Sequence, residues 1–138
     1  MKQVLWLGKF LSPLGMPRFT LEMHLRETAR ALDHFIPNHT EKHMVLIQAA
    51  QHLEQMRLAV IPLLQYEKAI LHFEKALRED ESGSYKNLSQ ILLSAIADER
   101  IDQSGALSKT LTWMIENSQW PKHIVQACQS LVADLASS

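Results

Sequence analysis

Apolar residues recur every three or four positions along most of this 138-residue chain, which is the period of an α-helix. Strict alternation of apolar and polar residues, the mark of a half-buried β-strand, is absent over any useful length. The four glycines and five prolines fall between the periodic segments. The sequence therefore predicts an all-α fold, a helical bundle of about six helices that forms one domain over residues 1–138.

The N-terminal half is predicted to form a long antiparallel hairpin. A short first helix and a loop or kink at residues 12–17 precede a helix from about Arg18 to Phe35, and a third helix begins near Thr40. Pro62 either kinks that third helix or opens a fourth, because its ring cannot donate a backbone hydrogen bond. The predicted buried stripe of the second helix is Leu21, Leu25, Thr28, Leu32 and Phe35. Its predicted solvent-facing residues are Glu22, Arg26, Arg30 and Asp33.

The C-terminal third is predicted to contain three shorter helices, near residues 87–98, 104–117 and 121–135. Cys128 falls on the apolar face of the last of these. As the single cysteine of the chain, it cannot form an intramolecular disulfide, which fits a reducing compartment. We expect it to be a small buried apolar residue, because no His or Lys flanks it to stabilise a thiolate.

Charge and hydropathy narrow the class of function. The formal net charge is −1, with 10 basic and 9 acidic residues in positions 1–80 and 4 and 6 in the remainder. Nucleic-acid binders need an excess of Lys and Arg, so we expect no nucleic-acid partner. No segment reaches the ~18 apolar residues of a membrane span, and the uncharged part of residues 1–11 is too short for a signal peptide. We therefore expect a cytoplasmic protein without a membrane span.

The first helix is the sequence candidate for an interaction surface. Trp6 and Phe10 lie four residues apart and therefore share one helix face. Basic residues accompany them with no acidic residue before position 22: Lys2, Lys9 and Arg18. Aromatic anchors beside basic residues suit protein interfaces, so we expect a partner, or a second copy of the chain, to bind Trp6, Lys9 and Phe10, with Arg18 at the edge. The alternatives are a helix that packs inside the bundle and one that attaches to a membrane surface.

Histidines support a competing hypothesis, a metal- or haem-binding bundle that acts as a sensor or an enzyme. The chain has seven histidines, five of them between His24 and His52. His39 and His43 are four apart and can share a helix face and a metal ion, with His34 or His52 completing the site. The Glu-x-x-His pairing of di-metal bundles is absent. The interaction hypothesis, by contrast, requires no cofactor.

Sequence motifs give no support to catalysis. The chain has no Gly-x-Ser-x-Gly nucleophile elbow and no glycine-rich phosphate loop. The leading expectation is therefore a non-catalytic regulatory or interaction protein that binds another protein through helical faces, alone or as a homodimer.

One resemblance covers residues 8–67. Leu11-Ser12-Pro13-Leu14, followed by Leu21-Glu22-Met23, is similar to the first helix of the dimerisation hairpin of sensor histidine kinases. The segment from His52-Leu53-Glu54-Gln55-Met56 to Leu63-Leu64 is similar to its second helix. Gly8 occupies the position of the family's phosphate-accepting histidine, and the Asp-x-Gly-x-Gly nucleotide box is missing. The resemblance therefore implies a signalling or phosphorelay scaffold, a hairpin that pairs with a second copy into a four-helix bundle. It does not imply kinase activity.

Overall fold

The structure, a computed structural model, describes residues 2–85, 87–102, 105–116 and 119–136. Within these ranges the fold is all-α and contains no β-strand, as predicted. Two short 3-10 turns, Ser12–Leu14 and Pro37–His39, precede the second and third helices. The α-helices are α1 Lys2–Leu11, α2 Arg18–Phe35, α3 Thr40–Val60, α4 Leu63–Lys75, α5 Ser82–Tyr85, α6 Leu88–Asp102, α7 Ala106–Glu116 and α8 Lys122–Ala136.

Helices α2 and α3 form the long antiparallel hairpin that the sequence predicts. Leu25 and Leu53 pack together in its core, where the small side chains of Ala49 and Ala50 are also buried. Small residues at such a contact let two helices approach closely and bury more apolar surface. The hairpin therefore supplies a rigid platform for the first helix.

Helix α6 lies at the centre of the molecule and joins the hairpin to the C-terminal helices. It contacts α2, α3, α4, α7 and α8, and its buried residues point to several sides instead of one. Leu92, Leu93 and Ile96 belong to the larger apolar core, which α4, α7 and α8 complete. A helix surrounded on several sides carries no clear amphipathic stripe, which explains why its sequence pattern is indistinct.

Pro62 separates two helices. α3 ends at Val60, Ile61 takes an extended conformation, and Pro62 immediately precedes the first residue of α4. Ile61 is completely buried, so the break in the helix directs an apolar side chain into the core. The alternative of one kinked helix is excluded.

Three local predictions were wrong. α6 continues to Asp102 instead of ending near residue 98. Phe35, predicted to be buried, is exposed, because it is the last residue of α2 and the chain turns away there. Glu22, predicted to lie in water, is buried, because Arg57 reaches it from α3.

Cys128 is buried, as expected from its position on an apolar face. Burial raises the pKa of its thiol to about 11. Because the thiolate is the reactive form, we expect Cys128 in the folded protein to react with Ellman's reagent at pH 8 about a hundredfold more slowly than in the urea-unfolded chain. Equal rates in the two states would contradict the burial of this side chain.

Candidate interaction surface

Helix α1 packs on the hairpin through one side only. Gly8 is its buried residue, and Val4 and Leu5 pack against the apolar core of α2 and α3. A Cβ atom at position 8 would lie 3.1 Å from both Cγ and Nε of Arg18, so a larger residue would require the Arg18 side chain or α1 to shift by a few tenths of an ångström. Gly8 therefore sets the close approach of the first helix.

The opposite side of α1 carries two exposed aromatic rings. Trp6 and Phe10 lie two residues before and two residues after Gly8, which places them nearly opposite it at 3.6 residues per turn. Their rings stack with centroids 5.2 Å apart and an interplanar angle of 11°. Trp6 is 63% exposed and Phe10 is 53% exposed. Large rings fixed in this way on a helix that packs elsewhere are typical of an interface.

The apolar surface continues beyond α1. The 3-10 turn follows α1 without a gap and carries Leu14, four residues after Phe10, which is 67% exposed. We call Trp6, Phe10 and Leu14 the aromatic strip. At its end a groove of about 300 Å³ opens between this turn and α7. This groove, the Trp113 groove, is lined by Leu14, Gly15, Met16, Pro17, Thr20, Ile91, Thr110 and Trp113.

Gly15 is the residue that brings the turn to α7. Its φ of 92° lies in the left-handed region, where a Cβ atom is strained, and its backbone N–H donates to Ser12 O at 3.1 Å. The backbone of Lys109 in α7 lies directly beside it. This turn places Leu14 and Met16 on one side of the groove and Trp113, which is 57% exposed, on the other.

Three lysines border the aromatic strip and the groove. Lys2 and Lys9 are seven residues apart on α1, nearly two full turns, and therefore share one edge beside the rings. Lys109 lies next to Gly15 at the far end. All three are exposed, and none has an ion-pair partner among the residues that the structure describes. Positive charge without compensation thus accompanies the apolar surface.

Arg18, predicted at the edge of this surface, lies inside the protein instead. It is 4% exposed, and its guanidinium donates to Asp98 at 2.9 Å and to Asp102 at 2.7 Å. α1 covers it through Gly8. Local sequence could not identify these partners, because both carboxylates belong to α6, some 80 residues later in the chain.

Helix α6, which carries Asp98 and Asp102, also caps the N-terminus of α2. Pro17 at the cap position makes no capping hydrogen bond through its side chain. Instead Asp98 Oδ2 accepts the backbone N–H of Arg18 and Ser94 Oγ accepts that of Phe19, both at 2.9 Å. Asp98 and Ser94 are four residues apart on one face of α6, so a tertiary contact satisfies two of the free amides of α2.

A second buried ion pair lies between α2 and α3. Arg57 Nη1 donates to Glu22 Oε2 at 2.6 Å, and both side chains are nearly inaccessible to solvent. The guanidinium of Arg57 also lies over the rings of Phe19 and Tyr66, 5.3 and 5.5 Å from their centroids. Cation–π contacts and a short ion pair together compensate the burial of the charge.

The pKa values of these groups reflect burial and pairing together. Burial lowers the pKa of the Arg18 guanidinium, but its hydrogen bonds to Asp98 and Asp102 more than offset this, so the pKa is raised. Burial raises the pKa of Asp98, and the hydrogen bonds and charge of Arg18 offset this only in part, so the pKa is raised. For Arg57, burial lowers the pKa, but the interactions with Glu22 and Tyr66 together more than offset this, so the pKa is raised. The two arginines therefore remain positively charged inside the protein.

The four histidines of the metal hypothesis do not converge. His43 is buried, and its Nδ1 lies 2.7 Å from Asp33 Oδ1. His34, His39 and His52 are exposed, and the His34 ring packs edge-on against Phe35. In the described ranges no group of three or more His, Cys, Asp or Glu side chains is placed to hold a metal ion.

The region that resembles a kinase hairpin has an interrupted first helix. Gly15 and the 3-10 turn divide α1 from α2, and Gly8, at the phosphate-acceptor position, is packed against Arg18. The antiparallel hairpin itself lies at residues 18–60. Its pairing with a second copy stays a prediction.

Sequence reasoning identified part of the candidate surface and missed the rest. It singled out Trp6, Lys9 and Phe10, which are all exposed. It missed Leu14 and Trp113, because no short-range pattern connects two residues that are about a hundred positions apart. The available signal was the Pro13-Leu14-Gly15 turn, which marks a change of direction directly after an aromatic helix.

No described helix has the length and apolar character needed to cross a membrane. Comparison with known proteins finds no family model, no curated protein and no solved structure that matches this chain.

Proposed function

We propose that this chain is a non-catalytic interaction protein that binds a protein partner through the aromatic strip on α1. The observation that carries the proposal is the stacked, more than half-exposed pair Trp6 and Phe10. Both rings are held on a helix whose other side already packs on the hairpin, so they contribute little to the fold. Tryptophan and aromatic neighbours of this kind are the usual centres of binding energy in interfaces.

The exposed area of the two rings gives the scale of the interaction. Burying it removes about 200 Å² of apolar surface from water, which is worth about 5 kcal/mol at 25 cal/mol per Å². Association costs at least about 4 kcal/mol in lost translational and rotational freedom. The pair alone is therefore an anchor, and a stable complex also needs the neighbouring apolar surface at Leu14 and the Trp113 groove.

The double variant Trp6→Ala/Phe10→Ala is expected to bind its partner about a hundredfold more weakly, because two anchor side chains at an interface centre contribute about 2–4 kcal/mol. Its folding stability should change by less than about 0.5 kcal/mol, since both side chains are exposed. Immobilised protein used to capture partners from cell extract, together with analytical ultracentrifugation for self-association, measures the loss.

The matched control is Leu64→Ala/Leu71→Ala, which removes two exposed apolar side chains from α4. We expect this control to retain the same partner, or the same dimer, as the unaltered chain. If both variants bind equally well, the aromatic strip is not the contact surface. If the aromatic variant unfolds, α1 is part of the core instead.

A further inference from the structure

We infer that the partner segment is an acidic amphipathic α-helix, which lies along the aromatic strip and inserts an apolar side chain into the Trp113 groove. This inference rests on the proposed function and specifies the chemistry of its partner. Three observations support it: the length of the strip, the character of the groove, and the charge around both.

The strip has the dimensions of a helix contact. Trp6, Phe10 and Leu14 are spaced four residues apart along a continuous helical course, which spans about 12 Å at 1.5 Å per residue. Two turns of a second helix with apolar residues at positions i, i+4 and i+7 cover the same distance. Recognition of this kind, an amphipathic helix on an apolar surface, needs only that spacing of anchors.

The Trp113 groove is mostly apolar. None of the residues that line it is charged, although the buried Thr110 hydroxyl has no hydrogen-bond partner among the described residues. Met16 and Trp113 form opposite walls, and methionine adapts its shape to different apolar side chains. A leucine or phenylalanine at the end of the partner helix would therefore fill the groove and extend the contact of the strip.

The positive charges beside the aromatic strip and the Trp113 groove favour an acidic partner. Lys2, Lys9 and Lys109 border the contact surface, and the acidic residue nearest to Trp113 along α7 is Glu116, one turn away. The chain as a whole has a net charge of −1, so this positive border is local and does not reflect composition. Asp and Glu on the flanks of a bound helix would neutralise it and raise the rate of association.

A second copy of the chain fits this surface less well. A two-fold contact through the same strip would bring a second set of the same three lysines to one interface. Like charges at an interface cost free energy and disfavour the complex. An acidic helix is attracted to the same lysines. The electrostatic free energy therefore favours an acidic helix over a second copy of the chain.

A helical peptide library tests the inference directly. Its members carry Leu or Phe at positions i, i+4 and i+7 on an alanine-rich helix, and every flanking polar position is randomised between Glu, Gln and Lys. Selection on the full-length protein should enrich Glu at the flanking positions. The selected peptides should lose binding to the Trp6→Ala/Phe10→Ala variant, as measured by fluorescence anisotropy.

Charge reversal supplies the decisive comparison. Lys9→Glu/Lys109→Glu should weaken binding of the acidic peptides about tenfold and strengthen binding of their Lys counterparts. Lys68→Glu/Lys75→Glu on α4, with the same change in net charge, should leave both affinities unchanged. Affinities that follow net charge alone, equally in both variants, would overturn the inference.

The remaining outcomes separate this inference from the proposed function. Peptides that bind through Trp6 and Phe10 without preference for Glu would overturn the acidic helix and leave the interaction surface intact. A dimer that forms through Trp6 and Phe10, with no peptide selected, would overturn it in favour of a second copy. Failure of every peptide, together with an unaltered partner for the aromatic variant, would reject both proposals.

Discussion

An Asp98→Ala variant is expected to lose about 3–5 kcal/mol of its free energy of unfolding, the effect of removing one partner from a buried ion pair. Asp98 accepts both the Arg18 guanidinium and the Arg18 backbone N–H. Without it, α2 loses one of its two capping hydrogen bonds, and the buried guanidinium keeps only Asp102 as a carboxylate partner. Because most domains are stable by 5–15 kcal/mol, this single change brings the protein close to unfolding.

Urea denaturation followed by circular dichroism at 222 nm measures this loss. Ser94→Ala removes only the hydrogen bond to the Phe19 amide and should cost about 1 kcal/mol. Glu27→Ala removes an exposed ion pair with Arg30 and should change stability by less than about 0.5 kcal/mol. A loss at Asp98 as small as that at Glu27 would show that the buried pair contributes nothing.

Arg57→Met is expected to destabilise the protein by about 3 kcal/mol, because it leaves Glu22 buried with its charge nearly uncompensated. Arg26 is the other cation near Glu22, at 3.7 Å, and it is shared with Glu54. The change also removes the two cation–π contacts with Phe19 and Tyr66. Methionine retains much of the apolar volume of the arginine stem. The loss of stability therefore reflects the uncompensated charge of Glu22 more than a cavity.

The double variant Glu22→Leu/Arg57→Met tests whether the uncompensated charge of Glu22 causes this loss of stability. Replacing both members of a buried ion pair by apolar residues is often neutral or stabilising, so the double variant should recover most of the stability that Arg57→Met loses. The same denaturation experiment measures the recovery. If the double variant is less stable than Arg57→Met, packing around the guanidinium matters more than its charge.

The helical pattern predicted the fold well where one face of a helix is buried. α2 begins at Arg18 and ends at Phe35, as the sequence indicated, because a clear 3–4 spacing of apolar residues coincides with flanking prolines. The end of α6 was less predictable. Helix α6 is buried on several sides, so it lacks a polar face, and the carboxylates near its end hold the buried Arg18.

Charged residues were the main source of error. Pattern alone favours solvent exposure for Glu and Arg, whereas Arg18, Glu22 and Arg57 are buried. Their partners lie 35 to 84 residues away in the sequence, so no local signal identifies them. The exposure of aromatic residues was easier to predict, because Trp6 and Phe10 lie on a short helix opposite its single glycine.

The residues that cap α2 are synthesised after the hairpin to which α2 belongs. Residues 18–60 leave the ribosome well before Ser94 and Asp98, which satisfy the first amides of α2 and pair with its buried arginine. Until α6 emerges, the nascent hairpin carries an unpaired cation at one end and free amide groups beside it. Early and late segments of this chain therefore become stable together, and a hairpin released alone would be a target for chaperones and proteases.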